Sequence, residues 1–274
     1  MATERTCRKS KLTKQPLALV LIQTRFSPIS NLDKYIPEIQ DGLRRNGFPY
    51  MASKNGTGLE LSPNGIKPKA IVQWVFENPD KSTMLIMDDR QVLLQTVNYD
   101  TFEPFLEQYL LALTIVMENT EHSKFGIVER LGLRYIDRVV KQSEADDIDS
   151  YLRPQLWGMG SGYFKSKSKR YAFTTLGETE LRSKHKGALS IRILRNNDNF
   201  DLPPDLVMGA PPCLRHIDTS KDFALIDMDH GCEGPFEHGI KQASLEELFY
   251  GLHDIIIEVL YESVVSEEGI QKWK

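Results

Sequence analysis

The stretch FGIVERLGLRYIDRVV, Phe125 to Val140, decides the reading of the fold. It is aliphatic, β-branched and aromatic, which predicts one long strand. Alternation puts Leu131, Leu133 and Tyr135 on a core-facing side. Arg130, Gly132, Arg134, Ile136 and Arg138 then share the other side. A strand that is apolar on one side and charged on the other suits a mostly antiparallel sheet.

The same reasoning extends upstream. Leu17–Phe26 is a second strand candidate, aliphatic and then alternating through Gln23, Thr24, Arg25 and Phe26. Asn31-Leu32-Asp33 opens a helix that carries Leu32, Tyr35, Ile36, Ile39 and Leu43 at helical spacing, and Asn46-Gly47 ends it. Residues 50–68 are rich in Gly, Asn, Ser and Pro and read as a loop. Ala70–Glu77 and Ser82–Asp88 form a predicted hairpin around Asn78-Pro79-Asp80, and Gln91–Asn98 is a further strand. Asp100 or Thr101 caps a helix over 102–119 with one broad apolar face.

Downstream, Glu144-Ala145-Asp146-Asp147 leads into a short helix over Ile148–Leu156 and a flexible Gly158–Gly162 loop. Tyr163–Leu181, Ala188–Leu194 and Phe223–Asp229 read as strands, and 196–216 as a long loop. Ser244 starts a final helix, with Glu247 completing a capping box. The order predicts an α+β protein: mostly antiparallel sheet, with long helices packed on one face. It divides into two α+β halves, 16–142 and 148–274, behind a disordered basic tail over 1–15.

The 274 residues are 26% charged and 41% hydrophobic with a net charge of -4, an ordinary globular composition that excludes a uniformly basic nucleic-acid binder. Cys7, Cys213 and Cys232 are too few for a disulfide framework and fit a reducing compartment. The run Leu17–Ile22 is too short for a signal-peptide core, and no apolar run reaches the roughly 18–20 residues of a membrane span. The expected setting is therefore cytoplasmic, without a membrane partner.

Glu129-Arg130-Leu131-Gly132-Leu133-Arg134-Tyr135-Ile136-Asp137 resembles the signature Arg-x-Gly-Leu-Arg-Tyr-Ile-Asn of a sporadically distributed prokaryotic family of unknown activity. Asp137 stands where that signature has Asn. Further matches are Arg25-Phe26 at the end of the first strand, Asp227-Met228-Asp229, Leu252-His253 and Trp273. The resemblance implies a bacterial or mobile-element protein, of a kind often found among defence or toxin–antitoxin genes.

Four constellations bear on chemistry. Arg25, Arg130, Arg134 and Arg192 sit in alternating strands; brought together, they would grip a carboxylate, a phosphate or an acidic partner. The structural alternative is an ion-pair network with Asp227, Asp229 and Glu129. Asp227 and Asp229 share a strand face, while Ile226 and Met228 face the core; such a pair suits Mg²⁺ or Mn²⁺ but needs a third ligand, for which His253-Asp254 is a candidate, although a helix-face His is more often structural. Cys213, His216, His230, Cys232 and His238 fall close together as zinc-type ligands, but His-x-Cys is too tight for a structural zinc turn.

The segment 163–195 holds nine basic residues against two acidic ones. Lys165, Lys167 and Lys169 alternate beside Arg170, with Tyr163, Phe164, Tyr171 and Phe173 interleaved. They could follow a nucleic-acid backbone, or guard an edge strand against aggregation. The segment 244–274 is acidic and would balance them in cis or across a homodimer. No phosphate loop, zinc-protease or hydrolase motif occurs. The leading expectation is a non-enzymatic adaptor or regulatory protein with a protein partner and no cofactor. The alternatives are a divalent-metal enzyme acting on nucleotides or nucleic acid, and nucleic-acid binding through 163–195.

Overall fold

The structure, a computed structural model, describes residues 12–62, 65–158, 175–182, 187–195, 202–207, 214, 222–236 and 242–274. It is α+β, built on a nine-stranded antiparallel sheet. The strands are β1 Leu17–Phe26, β2 Tyr50–Ser62, β3 Gly65–Glu77, β4 Thr83–Asp88, β5 Gln91–Thr96, β6 Val128–Val140, β7 Thr175–Arg182, β8 Gly187–Arg195 and β9 Phe223–Glu233. Their order is β2-β3-β4-β5-β1-β6-β9-β8-β7. The two halves of the sequence therefore contribute to one sheet, joined where β6 pairs with β9.

The helices are α1 Ile36–Arg45, α2 Phe102–Asn119, α3 His122–Phe125, α4 Pro204–Val207, α5 Gln242–Val259 and α6 Glu267–Trp273. Buried Ile36, Ile39 and Leu43 of α1, Tyr109 and Leu113 of α2, and Phe249 and Ile256 of α5 join one apolar cluster. The same cluster takes Leu131, Leu133 and Tyr135 of β6 with Ile226 and Met228 of β9. Each such side chain contributes about 1.5–3 kcal/mol by leaving water. The residues between them point the other way. Leu19, Leu21, Ile136, Phe223 and Leu225 form a smaller second cluster with Leu194, Leu202 and Leu214.

Most boundaries fall where periodicity places them. β1 and α2 match their expected ranges, and Gly47, at φ +96°, ends the α1 region in a left-handed conformation that glycine adopts freely. Four readings need correction. Residues 50–68 are mostly strand: β2 pairs with β3 in continuous register from Tyr50↔Glu77 to Ser62↔Gly65. Their Gly, Asn and Ser content lowers local propensity, but the ladder satisfies the backbone regardless. The 125–140 strand starts only at Val128, because α3 ends at Phe125. Thr101 occupies the N-cap of α2 but makes no side-chain cap bond. α5 begins at Gln242, so Ser244 lies inside the helix.

The basic tail to residue 11, Lys165, Lys167, Lys169, Arg170, Cys213, His216 and His238 lie outside the described residues. No helix among the described residues is long and apolar enough to cross a membrane.

Candidate functional site

On the second face of the sheet, register dictates which polar groups meet. Arg134 on β6 lies opposite Asp229 on β9, which lies opposite Ser190 on β8. One row on, Ile136, Asp227 and Arg192 follow one another. Arg134 reaches diagonally to Asp227, with Nε to Oδ1 at 2.7 Å and Nη2 to Oδ2 at 2.8 Å. Its remaining edge donates to Asp205 of α4 at 2.6 and 3.3 Å. Arg192 donates to Asp227 at 3.4 Å and to Glu178 of β7 at 2.9 Å. Burial works against the Arg134 charge, but its hydrogen bonds to Asp227 and Asp205 outweigh burial and raise its pKa. Burial pushes Asp205 up, and Arg134 more than offsets this. This is a closed lock of two forks, with Asp227 only 3% exposed at its centre.

The other end of the face is more open. Arg130 donates to Glu233 at 3.0 Å and to Gln23 at 2.9 Å, and its Nη2 stands 4.0 Å from Asp229. Its guanidinium stands close over the paired glycines Gly132 and Gly231; a Cβ on Gly231 would sit 2.6 Å from Nη2. Burial raises the Asp229 carboxyl above its ordinary value, although Arg134 and Arg130 oppose it. Arg25 stands directly across from Arg130 on β1, is exposed, and has no carboxylate partner among the described residues.

So the structure brings Arg130, Arg134, Arg192, Asp227 and Asp229 into one patch, with Arg25 at its rim. Both oxygens of Asp227 are already occupied by guanidinium groups. Among the described residues, no group of three or more His, Cys, Asp or Glu could hold a metal ion. The His-x-Cys pair is part of β9 rather than a loop. His230 is buried and its Nδ1 meets the Leu252 carbonyl at 3.0 Å; burial lowers its pKa.

The core side of β6 holds a feature that the motif reading did not single out. A cavity of about 670 Å³ opens between β6, the start of α2, α5 and α6. Its walls include Tyr99, Phe102, Tyr135, Ile226, Ile256 and Trp273, and at its base is Asp137. A bulge between Leu17 and Leu19 turns Leu17 onto this side, opposite Asp137. Asp137 is 4% exposed, with no hydrogen-bond or ion-pair partner among the described residues. Burial alone pushes its carboxyl up to about 7.

Beside it, Tyr135 Oη meets His253 Nδ1 at 3.0 Å and Tyr99 Oη at 3.1 Å. The His253 ring stacks on Phe102 at 4.1 Å, and burial lowers it to about 4. The ring is therefore neutral near pH 7, and with Nδ1 as acceptor Tyr135 donates to it. Extending the β6 alternation from Tyr135 to Asp137 is the one signal in the sequence for this carboxyl. The approach of His253 and Trp273 had none.

Compared with known protein families and with curated proteins, the chain matches none.

Proposed function

We propose that this chain is a non-enzymatic adaptor or regulatory protein that binds an acidic segment of a protein partner at the Arg25–Arg130 corner of the sheet. The observation that carries the reading is the like-charge pair itself. Arg25 and Arg130 stand directly opposite on neighbouring strands, where like charges are unfavourable, and among the described residues Arg25 has no carboxylate to offset that. An incoming carboxylate would relieve the repulsion and find planar donors suited to it. Arg25 is exposed, which leaves this corner accessible. The Arg134–Asp227–Arg192 lock supports the corner by stiffening it, since its donors and acceptors are spent on one another. A bacterial defence or toxin–antitoxin-like module is the setting that the sequence resemblance favours.

The test is capture of a stoichiometric protein partner by the full chain from its native host, repeated with Arg25→Glu. The expected partner dissociates in roughly 1 M salt, where screening acts within about 3 Å, and its retention falls at least about tenfold with Arg25→Glu. Repeated recovery of the chain alone, or a partner indifferent to Arg25→Glu, would overturn the proposal. Capture of an oligonucleotide in place of a protein would shift the reading to nucleic-acid binding through 163–195.

A further inference from the structure

The cavity on the helix side of β6 does not belong to the partner-binding corner, and its chemistry points elsewhere. Its lining is mostly apolar and aromatic, through Tyr99, Phe102, Tyr135, Ile256 and Trp273. Among the described residues the charged groups that line it are acidic: buried Asp137 and exposed Asp100 and Glu103. Among the described residues no Lys or Arg lines it. A volume of about 670 Å³ falls within the usual range for small-molecule sites.

A buried carboxyl without a partner is costly to keep ionised, and proteins ordinarily supply it with a donor or a cation. Among the described residues Asp137 has neither, and Tyr135, two residues away on the same strand face, is engaged with His253 and Tyr99. The cavity that Asp137 lines is the open space from which a bound partner can reach it. Aromatic faces around a negative group are the surroundings in which an ammonium ion on an apolar body is held best.

We propose that this cavity binds a small organic cation, a protonated primary amine carried on an aromatic or aliphatic body, with Asp137 as its counter-charge. Ligands of this class would couple binding to release of the Asp137 proton. The other titratable groups that face the cavity are Tyr99, Asp100, Glu103, Tyr135, His253 and Tyr261. Burial holds Tyr99 and Tyr135 above their usual range and keeps His253 neutral, so these three do not change charge between pH 5 and 8.

The experiment is titration calorimetry of the full chain with benzylammonium, n-hexylammonium and the neutral isostere benzyl alcohol. At pH 8, benzylammonium is expected to bind at least about tenfold more tightly than benzyl alcohol, and Asp137→Asn should bring the ratio to about one. Independently of any variant, the wild-type affinity for the amines should rise from pH 5 to pH 8 while that for the alcohol does not. Failure of both amines to bind, equal affinity for amine and alcohol, or a preference that survives in Asp137→Asn would each overturn the assignment. So would an amine affinity that does not rise with pH.

Discussion

At the residue scale, Asp137 and Asp227 show how neighbouring rows of one sheet assign opposite roles to the same side chain. Asp227 is met by two guanidiniums; Asp137 is met by none among the described residues. Its carboxyl is raised to about 7 from 3.8 by burial alone. A raised folded-state pKa in an acid means that the folded chain holds the proton more tightly than the unfolded chain. The contribution of Asp137 is thus most favourable below about pH 4 and is lost as pH rises toward 7. Asp137→Asn, which keeps the shape and removes the charge, should therefore raise the melting temperature at pH 8. The gain, on the order of a few kcal/mol, should fade toward pH 4. A melting temperature that is unchanged or lower at pH 8 would contradict this.

The Arg134 lock gives a complementary prediction. Asp227→Asn leaves Arg134 buried beside a neutral amide and should cost about 3–5 kcal/mol in urea unfolding. Asp205→Asn removes an exposed partner and should cost no more than about 1 kcal/mol. The order of the two losses is the check, because burial rather than hydrogen-bond count decides it.

At the element scale, the terminal segments are tied to the body by specific groups. Ser266 caps α6 by accepting from the Gly269 amide, and Gly269 is pressed against the Tyr151 backbone, where a Cβ would sit 2.7 Å from the carbonyl oxygen. Backbone cannot swing aside as a side chain can, so Gly269→Ala should loosen α6 and lower stability by about 1–3 kcal/mol. Hydrogen exchange should show the loss in α6 first; a uniform change across the sheet would argue against this anchoring.

Much of this scale is legible in the sequence. Period-two alternation places Arg130 and Arg134 opposite Leu131, Leu133 and Tyr135, and helical spacing finds α2. Residues 50–62 are misread because their strand character comes from pairing with β3, a non-local cause that composition does not express. The cavity is illegible for a related reason. Tyr135, His253 and Trp273 are separated by long stretches of chain, and only the packing of α5 and α6 onto β6 brings them together.

At the scale of the whole molecule, the near-balanced charge resolves into an arrangement. One sheet face neutralises itself around Asp227 and leaves Arg25 and Arg130 at its rim. On the other, β6, α2, α5 and α6 border a cavity whose charged lining groups, among the described residues, are acidic. In the proposed function the rim binds, while the lock only supports it. The most direct measurement is the affinity of the captured partner for three forms of the full chain: wild type, Arg25→Glu and Asp205→Asn. Rim binding predicts at least about a tenfold loss for Arg25→Glu and wild-type affinity for Asp205→Asn. Equal losses in both variants, or a loss confined to Asp205→Asn, would contradict it.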